Sequence, residues 1–240
     1  MVQHEKMASL GRMSAGIIHE INNPLNFVST GLQILRRKSV LLSPEEQKDF
    51  EDTFNDINEG VIRVKNIVSD LRSFTHPNAQ EFAEVSAAEI VEASMRLLSN
   101  EWKNAIQITI EIDDDIVLLG NRNKLVQVWV NLLQNSIHAV KKKQYMDEKP
   151  LITIKGKKET TCQRVIIRDN GVGISQEIID KIFEPFFTTK EVGEGMGLGL
   201  SICYRIIEEH NGRISVRSKP NQFCEFTLEF PLLKHHNIKT

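Results

Sequence analysis

Leu41-Leu42-Ser43-Pro44-Glu45-Glu46 separates two long apolar stripes and reads as the turn between two helices. Ser43 suits a helix N-cap, Pro44 suits the first helical position, and the two acids suit the positive end of the helix dipole. Upstream, Met7, Leu10, Ser14, Ile17, Ile21, Val28 and Leu35 fall on a 3-4 spacing. Downstream, Phe50, Phe54, Ile57, Val61, Val64, Val68 and Leu71 repeat it without a break. One partner helix cannot cover either stripe completely. Two such hairpins, packed as a dimeric four-helix bundle, would bury both. A homodimer through residues 5–75 is therefore expected.

The helical pattern stops at Thr75-His76-Pro77-Asn78-Ala79-Gln80, because Pro77 cannot continue it. This sets the expected domains at 1–78 and 79–240. In the second, Ser86–Lys103 and Lys124–Val140 read as amphipathic helices, as does Ser201–Glu209. Ile106–Ile112, Val117–Leu119, Leu151–Lys155, Arg164–Arg168, Arg213–Arg217 and Phe223–Phe230 read as strands. The order predicts an α/β sandwich with helices on one face of a mixed sheet.

The whole chain limits the alternatives. Its 240 residues carry a formal net charge of −2, with 40% hydrophobic and 26% charged residues. That balance suits a packed core and lacks the basic excess of a nucleic-acid binder. Cys162, Cys203 and Cys224 lie far apart without CxxC spacing, which signals neither a zinc site nor a disulfide framework. No apolar run reaches the ~18 residues of a membrane span. The fragment is expected to be cytoplasmic without membrane contact, although a longer native protein could carry a sensor upstream. Lys234-His235-His236-Asn237 reads as a disordered end.

Within the first stripe lies Ser14-Ala15-Gly16-Ile17-Ile18-His19-Glu20-Ile21-Asn22-Asn23-Pro24-Leu25. With Ser14 and Ile21 at heptad position a, His19 falls at f and points away from the bundle core. An exposed histidine is ordinarily a solvated surface residue. This one has Glu20 beside it, Asn23 one turn ahead, and Pro24 in a helical pattern where proline costs ~3 kcal/mol. Neutral imidazole is a nucleophile near pH 7, and an adjacent carboxylate can fix its tautomer and stabilise the cation formed on attack. Asn23 cannot act as a base but can orient a water. The segment from His19 to Leu25 resembles the H-box of sensor histidine kinases, especially the nitrogen-regulation type. Asn22 stands where members commonly carry a basic residue. The resemblance implies that His19 is the phosphoacceptor, that Glu20 assists the kinase reaction, and that Asn23 supports phosphatase activity.

Four further stretches follow in the order this family implies. Gln127, Asn131 and Asn135 are spaced by four and line one face of an otherwise apolar helix. Amide oxygens suit Mg²⁺, a hard cation. The stretch resembles the N-box, which implies Asn135 as the Mg²⁺ ligand and a polar or water-positioning role for Asn131. Arg168-Asp169-Asn170-Gly171-Val172-Gly173-Ile174 could be a plain turn. It resembles the G1 box, implying that Asp169 accepts from the adenine amino group while Gly171 and Gly173 let backbone approach the base. Ile182-Phe183-Glu184-Pro185-Phe186-Phe187-Thr188-Thr189-Lys190 resembles the F-box. Its phenylalanines Phe183, Phe186 and Phe187 are expected to anchor a lid, and Lys190 could reach phosphate. Gly193-Glu194-Gly195-Met196-Gly197-Leu198-Gly199-Leu200 runs into a helix, where bare N–H groups suit an anion. It resembles the G2 box, implying triphosphate contacts at Gly195, Gly197 and Gly199. Met196 replaces the small hydroxyl residue common there.

The resemblance spans residues 5–232. It implies an ATP- and Mg²⁺-dependent kinase that phosphorylates His19 and passes the phosphoryl group to an aspartate on a response regulator receiver domain, and dephosphorylates that regulator. Two alternatives compete. An ATPase of the gyrase, chaperone and mismatch-repair type would share the nucleotide stretches but lack an exposed His-Glu pair on a dimeric hairpin. A docking scaffold would have lost Asn135, Asp169 or the glycines.

Overall fold

A computed structural model describes residues 21–75, 82–103, 105–190 and 197–233. The chain divides into two compact units, Met1–Asn78 and Ala79–Thr240.

In the first unit, helix α1 (21–38) runs through a 3-10 turn, Ser39–Leu41, to helix α2 (Pro44–Thr75). The turn is chemically tied. Glu46 accepts from the Ser43 N–H at 3.1 Å and from the Ser43 hydroxyl at 2.6 Å. These bonds hold the Glu46 carboxyl below its ordinary range. Gln47 donates to the Ser39 carbonyl, and the Arg36 guanidinium lies over the Phe54 ring at 5.2 Å. Leu32, Phe54 and Val68 are buried. Phe27, Ile34, Leu35, Ile57 and Val64 remain exposed on the same unit, so part of the apolar stripe is uncovered among the described residues.

The second unit holds a five-stranded mixed sheet in the order β2-β4-β5-β7-β6. The strands are β2 (Gln107–Ile112), β4 (Leu151–Lys158), β5 (Cys162–Asp169), β6 (Arg213–Lys219) and β7 (Phe223–Pro231). β2 and β4 pair in parallel, and the remaining pairs are antiparallel. A two-stranded ribbon joins β1 (Ala83–Ser86) to β3 (Val117–Gly120). Alternate residues of β4, β5 and β7 are buried, among them Ile152, Ile154, Val165, Ile167, Phe226 and Leu228. Those of β4 and β5 meet helix α5 (Arg122–Lys142), whose buried Leu125, Val128, Trp129, Leu132, Leu133 and Ile137 form one stripe. Helix α3 (Ala87–Leu97) packs on α5, and α6 (Gly199–Glu209) packs on α5 and β6.

The helix expected over Ser86–Lys103 is two pieces. Ser86 is extended and its side chain accepts from the Glu89 N–H, so the helix begins at Ala87. Leu98 breaks it before the short α4 (Ser99–Trp102). At the other end of α5, Asn121 caps the helix by accepting from the Lys124 N–H at 3.1 Å. Its own N–H donates to His210 Nε2 at 3.0 Å, while His210 Nδ1 lies 2.6 Å from the Ile206 carbonyl. Phe82 stacks on the His210 ring at 4.7 Å. Both ring nitrogens are engaged, and burial lowers the His210 pKa, which favours the neutral ring with its proton on Nδ1. Lys124 and Glu209 form an ion pair at 2.6 Å beside it.

Candidate active site

Strand β5 ends at Asp169, on an inward-facing position between Ile152 and Cys224. Asp169 is 2% exposed. It accepts from the Gly171 N–H at 2.9 Å and is bonded by the Ser136 hydroxyl and the Cys224 backbone. Burial outweighs these donors and pushes its pKa up to about 6. A carboxyl so placed has strong reason to attract a further hydrogen-bond donor. The same burial, with the charge of Asp169, holds the Cys224 thiol up at about 12.

The loop after Asp169 is stitched to its surroundings. The Val172 N–H donates to the Ala139 carbonyl of α5, and the Asn221 N–H donates to the Val172 carbonyl. A Cβ on Gly171 would lie 2.5 Å from the Ala139 carbonyl carbon, so only glycine permits this approach of loop to helix. Gly173 has φ +64, and a Cβ there would lie 2.3 Å from the Lys219 carbonyl oxygen. Gly171 thus lies against the backbone and Cβ of Ala139 on α5, and Gly173 against the backbone of Lys219 and Phe223, where β6 ends and β7 begins.

On α5, Gln127, Asn131 and Asn135 are half-buried between the core stripe and solvent. Asn131 Nδ2 donates to the Gly199 carbonyl at 3.3 Å, which links α5 to the first residue of α6. Asn135 makes no side-chain hydrogen bond among the described residues, leaving its amide available to a ligand. Ser136, the next residue, is the one whose hydroxyl meets Asp169. A buried serine in an apolar run gave no signal in the sequence.

Successive turns carry the chain from Ser175 to Phe187. Phe183 is anchored as expected, packing on Tyr204 at 5.7 Å and Phe226 at 6.4 Å. Phe186 is not an anchor: it is 54% exposed, on a backbone with φ +67 that turns its side chain away from the core. The Lys190 N–H donates to the Thr188 hydroxyl. Gly197 has φ +70 and packs on the Phe187 carbonyl, and Gly199 opens α6. Gly195 lies outside the described residues. So do His19 and Glu20, whereas Asn23 is exposed on α1 and Pro24 lies within it.

Comparison with known proteins matches both units. The family model described as a His Kinase A (phospho-acceptor) domain matches residues 9–80. The one described as a histidine kinase-, DNA gyrase B-, and HSP90-like ATPase matches residues 120–234. The signal transduction histidine-protein kinase AtoS of Escherichia coli (strain K12) is 32% identical over 242 residues, covering 97% of this chain and 36% of AtoS. Sporulation kinase C of Bacillus subtilis (strain 168) is 31% identical over 96% of this chain and 51% of its own length. The chain thus spans about a third to a half of the curated relatives it matches. The solved catalytic domain of histidine kinase ThkA is 34% identical with a TM-score of 0.55, over 63% of this chain and 96% of that one. ThkA in complex with the response regulator protein TrrA matches at 30% identity and a TM-score of 0.63, over 95% of this chain and 63% of that one. With a phosphoacceptor-type hairpin followed by this ATPase-type α/β unit, the chain belongs to the sensor histidine kinases of two-component systems.

Proposed function

We propose that the chain binds ATP in the second unit, transfers its γ-phosphoryl group to His19, and passes that group to an aspartate of a response regulator. Residues 1–78 are the dimerisation and phosphoacceptor domain in this reading, and 79–240 the ATP-binding domain. Asp169 accepts from the adenine amino group. Asn135 would hold Mg²⁺, and the free half-buried amide fits a hard cation that keeps several waters. Bound there, Mg²⁺ would neutralise charge on the phosphates. Gly197 and Gly199 lie at the start of α6, where N–H groups suit phosphate, and they contact the triphosphate together with Gly195 of the same glycine-rich stretch and with Lys190. Glu20 orients and polarises the His19 ring, so that Nε2 is free to attack. Asn23 orients water for dephosphorylation of the regulator. The exposed stripe of Phe27, Ile34, Leu35, Ile57 and Val64 supports a homodimer. A cytoplasmic setting suits an ATP-dependent kinase; no described helix is long and apolar enough to cross a membrane.

The observation that carries this reading is Asp169, a buried carboxyl at a strand end beside the polar face of α5. The test is incubation of the chain with γ-labelled ATP and Mg²⁺, followed by acid and alkali treatment. Acid-labile, alkali-stable label on the wild type, lost in His19→Gln at nearly unchanged nucleotide affinity, is the expected result. Label of that kind persisting in the variant would mean that another residue is the acceptor.

A further inference from the structure

Asn170 follows the buried acid, and it is bonded through four of its own atoms. Its N–H donates to the Leu151 carbonyl at 3.2 Å. Its side-chain Oδ1 accepts from the Leu151 N–H at 2.9 Å and from the Tyr145 hydroxyl at 3.0 Å. Nδ2 donates to the Lys149 carbonyl at 2.9 Å. Its carbonyl accepts from Lys143 Nζ at 2.8 Å and lies 3.2 Å from the Tyr145 hydroxyl. Lys143 Nζ also lies 5.1 Å from the centre of the Tyr145 ring. A turn asparagine ordinarily bonds its own backbone two residues on. Here three of the four external partners, Lys143, Tyr145 and Lys149, belong to the connection between α5 and β4, and the fourth, Leu151, opens β4.

The consequence falls on Asp169. Its Oδ1 accepts from the N–H of Gly171, the residue on the far side of Asn170. Rotation of either peptide flanking Asn170 would carry that donor away and turn the carboxylate. Tyr145 stands close enough to Asp169 that burial and the charge of the acid together raise its phenol to about 12, so it remains a donor across the working range.

We propose that Lys143, Tyr145 and Asn170 are positioning residues that hold the Asp169 carboxylate in register for the adenine amino group, and so set base discrimination rather than phosphate binding. This rests on the nucleotide reading of Asp169. The test compares equilibrium affinities of the full chain for ATP and for purine riboside triphosphate, which lacks the 6-amino group. Both are measured with Mg²⁺ in the wild type, Asn170→Ala and Tyr145→Phe.

A hydrogen bond to a carboxylate should give the wild type roughly a 10- to 100-fold preference for ATP. Asn170→Ala should bring that preference about tenfold closer to unity, and Tyr145→Phe about two- to fivefold, the effect of a shared neutral bond. Affinity for the amino-free triphosphate should stay at its wild-type value in both. A wild type without preference would overturn the role given to Asp169, and the proposal with it. A wild-type preference retained in both variants would overturn the positioning role alone. Equal loss of affinity for both triphosphates, at constant preference, would also overturn it, by assigning these residues to general folding. Tyr145→Phe keeps the ring over Lys143 and removes one hydroxyl, so it serves if Asn170→Ala does not fold.

Discussion

Replacing Asp169 with asparagine should stabilise the nucleotide-free second unit at neutral pH while weakening its ATP binding by roughly 10- to 100-fold. The wild-type carboxyl has a pKa near 6 in the folded unit against 3.8 for its ordinary value, because burial outweighs the bonds from Gly171, Ser136 and Cys224. The folded state therefore binds this proton more tightly than the unfolded state. Its contribution to stability is fully present below pH ~4 and is lost as pH rises through 6. A gap of about two units corresponds to about 3 kcal/mol. The asparagine variant has no proton to lose, so its stability relative to wild type should rise by about 2.4 kcal/mol between pH 4 and pH 7.5, because the unfolded carboxyl is already half ionised at pH 4. For a domain of this size the shift is roughly 5–10 °C in Tm. The assay is thermal unfolding of the wild-type and variant chains at both pH values, following the transition of the second unit. Using the change in the difference cancels every other titrating group and the fixed cost of exchanging an oxygen for an NH₂. A pH-independent difference would refute the argument, since Asp169 would then ionise as easily folded as unfolded. Added ATP and Mg²⁺ should raise the Tm of the wild type more than that of the variant at the same concentration.

Asn23→Ala should mainly damage dephosphorylation of a cognate regulator, and Glu20→Ala should slow transfer from ATP to His19 by roughly 10²-fold or more. Measuring both rates in both variants with one purified regulator checks this, and equal losses for Asn23→Ala would point to a structural role in α1. Leu35→Asp and Ile57→Asp, at exposed apolar positions of the hairpin, should each shift the chain from dimer toward monomer in light scattering at micromolar concentration. A wild-type chain that is already monomeric, with its hairpin helical, would contradict the dimer. His210→Ala leaves the Asn121 N–H without its acceptor and should cost roughly 1–3 kcal/mol. Because burial depresses the His210 pKa, the wild type should also lose stability as pH falls below ~6.5. His210→Ala should lack that component.

The hairpin turn was legible because Ser43, Pro44 and Glu46 act locally, within one helical turn. The buried stripe of α5 and the strands β5 and β7 followed from periodicity, which the sheet and its helical layer enforce. Four-residue β1 was missed, since Ala83–Ser86 is too short to alternate and its last residue is also the cap of α3. β4 was cut at Lys155, because Gly156-Lys157-Lys158 is polar; its pairing with Gln163–Val165 carries the strand on. At the site, Asp169 and its glycines could be picked out by pattern. Ser136, Tyr145 and Lys143 could not, because they reach the loop from sequence separations of about 25 to 33 residues, visible only once β4 and β5 are paired. Phe186 misled for a related reason: three nearby phenylalanines share a composition, while the left-handed backbone at Phe186 decides that one of them faces water.

His210 bears on how the histidine chemistry of this protein is read. The chain has seven histidines, and a chemical probe or a stray phosphoryl group can in principle reach any exposed imidazole. At 2% exposure, with one nitrogen accepting from Asn121, the other against the Ile206 carbonyl, and Phe82 across its face, His210 offers no lone pair to an electrophile in the folded state. It is a silent site as long as the end of α6 stays closed over the start of α5. Residual acid-labile label in a His19 variant therefore cannot sit there without unfolding. The rate at which an acylating reagent modifies His210 becomes a clock for the opening of that corner of the domain.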